Sequence, residues 1–460
     1  MKRLLCSLWI FSLILPVFSQ ITVDSGEDAI AIALQNSKNQ IFQELKVKEN
    51  MIKARLSVKD FLPRLGFSYS ESDTVKKGMA DSRSKTLQFS LSQLVFDGGA
   101  AWNQYKVNNL QSQYEFQSYL QSLEEFKSQI LDGYNSIVMQ QEVVKIKKDV
   151  KESGFLRQEI MAKELELGLV REIDYLDYIV TCRKLEQEEN LAKAELEKQK
   201  EIFRQTLGLP FGTEIIIEKE NRGNEVGAKP FLSSYLDPLV ELTINYSPSL
   251  KQQRLEYDNL VQQKRMNKRW FLPNLTLEGS VNLSGIDFPL REPDFSLRLK
   301  ISFEKNNLVS LSNTTSMGFN QEKMESLGNS VSGSLNPDIG YFSQNRLISI
   351  SLLQKQFSLG TSEEEIRNSM RGLLLNYDTT KENCDFSRDS VEIQEKKVSI
   401  LFQKLENGEA TEMDYLQSLM ELAAMKIEIV ELQNNLNSLL RTIELMAGLK
   451  SGGIYEVIGK

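Results

Sequence analysis

The chain of 460 residues contains no histidine, three cysteines, three tryptophans and ten prolines. Without imidazole there is no Ser-His-Asp or Cys-His nucleophile system, no HExxH zinc protease and no histidine-based metal relay. The expectation is therefore a protein without catalytic residues, metal ligands or a cofactor. Basic residues are also outnumbered, 55 Lys and Arg against 63 Asp and Glu for a formal charge of −8. That balance excludes the basic face a nucleic-acid binder needs. Beyond the extreme N-terminus there is no run of about 18 apolar residues, the signature of a membrane-spanning helix.

The N-terminus does carry one apolar stretch. Met1, Lys2 and Arg3 lead into charge-free residues 4–17, followed by Phe18, Ser19 and Gln20. This is the order of a secretory signal peptide over 1–19 with cleavage after Ser19, a short membrane anchor being the alternative. Cys6 lies too early in that stretch for a lipoprotein cleavage site, so no lipid anchor is expected. Cys182 and Cys384 stand far apart in helical contexts with no CxxC, which predicts two unpaired thiols rather than a disulfide. If this exported chain enters a membrane, it must do so by strands.

The sequence is written twice. Phe61, Leu62, Pro63, Arg64 and Leu65 recur 210 residues on as Phe271, Leu272, Pro273, Asn274 and Leu275. Leu165 to Gly168 and Ile173 to Leu176 recur 240 residues on, and that spacing holds to Gly208 and Gly448. A tandem duplication follows, with repeats over 20–209 and 238–450, a linker or equatorial segment over 210–237 and a tail over 451–460. The second copy holds about 30 extra residues between its two landmarks. Each repeat opens with a helical stretch that ends in Leu-Pro, where proline stops the helix.

Two alternating segments follow in each repeat. Leu65, Phe67 and Tyr69 alternate with Gly66, Ser68 and Ser70, and Leu87, Phe89 and Leu91 with Gln88, Ser90 and Ser92. The second copy repeats the pattern around Leu275 to Leu283 and Phe295 to Phe303. Strands are expected at about 64–73, 85–95, 274–283 and 294–303. Their period of two, over the length a tilted strand needs to cross an outer membrane, reads as four membrane strands, with a half-buried soluble sheet as the alternative. Trp102 follows the second strand and Trp270 precedes the third. Both stand where membrane-interface anchors would, although a core role fits nearly as well.

Proline is absent between Pro63 and Pro210 and again after Pro337. Leu165, Leu169, Ile173, Leu176 and Val180, and then Met413, Leu416, Met420, Ala423, Ile427 and Val430, recur at spacings of three and four like coiled-coil seams. A continuous helix from Ala100 to Leu165 would run about 100 Å before turning near Gly168. The second copy allows two readings. Residues 348–357 fit either a strand, which leaves a helix of only about 70 Å, or the start of a longer one. Two helices lining one tube should be equally long, so the preferred helix begins near Tyr341 and turns near Gly408. Residues 304–340, rich in Asn, Ser and Gly, then form a polar insertion outside the bilayer.

Four strands cannot close a barrel, and an open sheet in lipid leaves backbone groups unsatisfied. On the membrane reading the strands are shared between copies, and three copies give twelve. Duplicated helix–strand–strand–helix halves, the LPRL and LPNL segments, the string LSQLVFDGG, and the paired GLVREIDYLDY and GEATEMDYLQS segments resemble the TolC-type outer-membrane factor family over essentially the whole mature chain. The fold class expected is mainly α with a small β part: long antiparallel coiled-coil helices and four membrane strands per protomer, completing a 12-stranded barrel and an α-helical tunnel as a homotrimer.

The resemblance implies an outer-membrane duct with a long periplasmic extension, exporting small molecules or proteins for a tripartite efflux pump or a type I secretion system. Its partners would be a periplasmic adaptor, an inner-membrane transporter and outer-membrane lipid. It further implies an adaptor-docking tip at Leu167, Gly168 and Leu169 and at Asn407, Gly408 and Glu409, the second departing from the family pattern. Asp174, Asp177 and Asp414 would stand at a narrowed periplasmic entrance, or simply on a solvated helix face. Ala410 stands where a gate arginine is found in the family. A secreted coiled-coil scaffold without a pore is the alternative reading of the whole.

Overall fold

The computed structural model describes residues 20–74, 82–217, 231–268, 272–303, 309–320, 323–335, 340–450 and 452–455. The expected signal peptide, Trp270 and residues 456–460 of the expected tail lie outside the described residues. The element order is β1 (Gln20–Val23), α1 (Gly26–Asn36), α2 (Lys38–Leu56), β2 (Arg64–Thr74), β3 (Ser82–Phe96), α3 (Ala100–Glu166), α4 (Glu172–Thr206) and β4 (Glu214–Ile217) in the first half. The second half runs α5 (Leu236–Tyr246), α6 (Pro248–Lys268), β5 (Asn274–Gly285), β6 (Glu292–Phe303), β7 (Val309–Asn320), β8 (Lys323–Leu335), α7 (Gly340–Glu406) and α8 (Glu412–Ala447).

α3 and α7 each span 67 residues, about 100 Å of helix. Nothing in either sequence interrupts the hydrogen-bond ladder, since proline is absent from both. α3 starts where Asp97 accepts hydrogen bonds from the N–H groups of Gly99 and Ala101, so the Asp-Gly-Gly corner both turns the chain and caps the helix. α7 takes in 348–357 as helix, starting one residue before Tyr341.

The chain divides into two compact units, one of residues 1–43, 120–246 and 366–460, the other of 44–119 and 247–365. The first unit holds the duplication in its packing. Ile130, Tyr134, Ile137, Phe203 and Leu207 form one core with Ala29 and Ala33 of α1. Met370, Leu374, Tyr377, Ile443 and Ala447, 240 residues later in each case, form a second core with Leu239 of α5. β1 pairs in parallel with β4, so the linker closes over the first core. Asp378 accepts from the N–H groups of Leu232 and Ser233 at 2.8 and 3.0 Å and ties the segment before α5 to α7.

The second unit contains a single antiparallel sheet of order β2-β3-β5-β6-β7-β8. The four expected strands are present. Residues 304–340 differ from the expected polar insertion: they hold β7 and β8, which pair over their length with β6 and with each other. The sheet therefore has six strands per chain rather than four. The extra residues of the second repeat are this hairpin, inserted between β6 and the start of α7.

Candidate functional site

Along the sheet, side chains alternate between two unlike faces. Leu65 pairs with Leu91, Phe67 with Phe89 and Val281 with Phe295, all on one face. That face is open: Leu65 is 84% and Phe67 78% exposed. The other face carries Ser68, Gln88, Ser280, Ser296, Glu278 and Arg298, with the Ser280 and Ser296 hydroxyls 2.6 Å apart and Glu278 directly opposite Arg298. No helix among the described residues is long and apolar enough to cross a membrane. At the start of α3, Trp102 is 63% exposed and packs against Phe61 and Tyr105 at 6.3 and 5.7 Å between ring centres.

The turns between the long helices share one geometry. At the α3–α4 turn the N–H of Gly168 donates to Leu165 O and that of Leu169 to Glu164 O. At the α7–α8 turn Gly408 donates to Leu405 O and Glu409 to Lys404 O. Both glycines are left-handed, at φ 74° and 73°, as this helix termination requires. Their surfaces differ. Leu167 and Leu169 are 73% and 72% exposed, whereas Asn407 and Glu409 present polar groups.

Above these turns the two helix pairs are joined by Arg157 of α3. Its guanidinium lies 3.3 Å from the Glu412 carboxylate and stacks over the rings of Phe402 and Tyr415 at 5.2 and 5.7 Å. Burial pushes the Glu412 carboxyl up, and Arg157 offsets this only in part. Beside this joint, Tyr178, Cys182 and Leu416 are buried together, and the Tyr178 hydroxyl donates to Gly154 O at 3.2 Å. Burial pushes the Cys182 thiol up to about 11, which leaves it inert at neutral pH. Cys182 and Cys384 are both buried, and neither takes part in a disulfide.

No protein-family profile matches the sequence, and no curated protein matches it. Solved structures do match. The CmeC outer membrane channel of Campylobacter jejuni superposes with a TM-score of 0.71 at 13% identity, over 94% of this chain and 88% of that one. The outer membrane protein VceC of Vibrio cholerae gives 0.70 at 14%, over 92% and 96%, and the transmembrane channel protein CusC gives 0.72 at 12%, over 94% of both. The chain has the TolC-like outer-membrane-channel fold.

Within this TolC-like fold two of the three acidic residues expected at the entrance, Asp174 and Asp414, sit in the first turns of α4 and α8. Asp174 forms a two-point ion pair with Arg171, both contacts at 2.8 Å. Asp414 completes a capping box: its N–H donates to the Thr411 hydroxyl, and its carboxylate accepts from the Thr411 N–H at 3.2 Å. Both carboxylates thus take part in starting a helix, as favoured near a helix N-terminus. Asp177 is exposed one turn further along.

The expected α4 seam also lies differently. Ile173, Leu176 and Val180 are exposed, and the side of α4 that faces α3 is built from Tyr178, Cys182 and Leu185. In α8 the expected seam is buried at Leu416 and Ala423. Sequence reading missed Arg157 and Glu412, which stand 255 positions apart; no local spacing signals that pair. Among the described residues no cluster of metal-ligating side chains occurs.

Proposed function

We propose that the protein is a homotrimeric outer-membrane channel, the exit duct of an export assembly, with its long helices extending into the periplasm. The observation that carries this is the exposed face of the sheet. Leucine and phenylalanine side chains stand open on one side while serine, amide and charged groups occupy the other, the two-faced pattern of a wall between lipid and water. The TolC-like fold supports the same reading.

In this account a periplasmic adaptor docks at the helical turns, chiefly through Leu167 and Leu169, whose exposure leaves apolar surface to be covered, with Gly168 shaping the turn. The polar turn of Asn407, Gly408 and Glu409 makes the second, weaker contact. An inner-membrane transporter supplies the cargo, small molecules in an efflux pump or a polypeptide in type I secretion. Asp174, Asp177 and Asp414 lie near the entrance, where Asp177 and Asp414 contribute most of the negative field because Arg171 offsets the charge of Asp174. Trp102 anchors the start of α3 at the bilayer surface.

Reconstitution tests this directly. Purified protein added to one side of a planar lipid bilayer is expected to give discrete, uniform conductance steps. A scaffold without a pore would leave the bilayer silent while still folding as helix.

A further inference from the structure

The β7–β8 hairpin is built like the strands before it. β6 pairs with β7 from Asp294 opposite Asn320 to Phe303 opposite Leu311, and β7 with β8 from Asn320 opposite Lys323 to Val309 opposite Leu335. The hairpin therefore stands level with β5 and β6 in the sheet. Its strands of 12 and 13 residues are long enough to cross a bilayer when tilted. The two faces continue across it as well. Met317 and Phe319 extend the rows of Leu297 and Phe295, although Asn313, Thr315 and Asn329 interrupt that face midway. On the other side Ser310 meets Ser334 at 2.6 Å and Ser312 meets Ser332 at 2.8 Å.

The hairpin moves the free edge of the sheet from β6 to β8. The strand order leaves β2 and β8 at the two edges, and a lipid-exposed edge is not tolerated. Six strands are too few to close on themselves. Successive strands are all antiparallel, so β2 and β8 run in opposite directions. β8 of one copy can therefore lie beside β2 of the next without breaking the alternation.

We propose that the β7–β8 hairpin is part of the barrel wall: β8 of each protomer pairs with β2 of a second copy of this chain, and three copies of the six-stranded sheet close an eighteen-stranded barrel. This rests on the channel reading above and replaces the twelve strands expected from two hairpins per chain. Because barrel diameter grows roughly linearly with strand number, the pore is roughly 1.5-fold wider than a twelve-stranded one. From Ser310 to Gly318 and from Ser326 to Ser334 the added sector of wall lines the lumen with serine, threonine and glycine.

Cysteine crosslinking of the full chain in outer membranes tests the seam. Ser68→Cys on β2 is combined in turn with Ser326→Cys, Ser330→Cys, Ser332→Cys or Ser334→Cys on β8, and separately with Ser296→Cys or Ser302→Cys on β6. The series on β8 brackets the unknown register. The expected result on oxidation is a ladder of covalent dimers and trimers for at least one β2–β8 combination and none for β2–β6. Crosslinking of β2–β6 without β2–β8 would overturn the proposal while leaving a channel, with the hairpin outside a twelve-stranded wall. Crosslinking of neither, in protein shown to be folded by its helical circular dichroism, would overturn the proposal together with the channel reading.

Discussion

Gly168 and Gly448 have nearly the same backbone, at φ 74° and 70°, in very different surroundings. A Cβ at Gly168 would meet open space, whereas at Gly448 it would strike the ring of Tyr246 from α5. Gly168→Ala should cost only the left-handed strain, about 1–2 kcal/mol. Gly448→Ala should cost that and a further roughly 1–3 kcal/mol of overpacking. Thermal unfolding of the solubilised protein should show the larger loss for Gly448→Ala; equal losses would contradict the packing. Glu189 supplies a second test. It is 2% exposed, with Lys151 and Lys193 each 2.6 Å away, and its hydrogen bonds to Lys151 and then Lys193 hold its carboxyl below the usual carboxylate range. A lowered folded value means the stabilisation is complete above the unfolded value and is lost as pH falls through the folded one. Glu189→Gln should therefore destabilise the protein by about 1–2 kcal/mol at pH 7, the low end because both lysines reach water. The difference from the parent should shrink as the pH drops below about 4. A pH-independent difference would show that the charge is not what holds the site.

Helices and strands differ in how openly they announce themselves. The four strands with unbroken alternation were legible because Leu65, Phe67, Phe89, Phe295 and their neighbours recur every second residue. β7 and β8 were not, since Asn313, Thr315 and Asn329 interrupt the apolar period and the abundance of Ser, Gly and Asn reads as loop. Their partnership with β6 supplies what their own composition lacks. The boundaries of α3 and α7 followed from proline, but which face of α4 is covered did not. Ile173, Leu176 and Val180 satisfy a heptad, yet α3 packs on the adjacent side through Tyr178 and Cys182. The Arg157 joint was illegible for another reason, since long-range pairing leaves no periodic trace. An exposed apolar stripe on a long helix implies another surface to cover it, which in the proposed trimer is a second copy of the chain. Leu176→Glu is expected to leave the helical circular dichroism unchanged while abolishing trimers on a native gel. Trimers that survive would place the subunit interface elsewhere.

At the scale of the whole molecule, the chain is spent on two helices of 67 residues each and a six-stranded sheet. The duplication builds two long helix pairs and two sets of strands from one plan, and an added hairpin enlarges the sheet. In the proposed channel the sheet stands between lipid and water. Single cysteines placed along β6 in whole outer membranes test it most directly, because burial keeps the thiols of Cys182 and Cys384 out of reach. A membrane-impermeant thiol reagent is expected to label Ser296→Cys, Arg298→Cys and Lys300→Cys and to spare Phe295→Cys, Leu297→Cys and Leu299→Cys. Equal labelling on both faces would contradict the barrel and, with it, the channel.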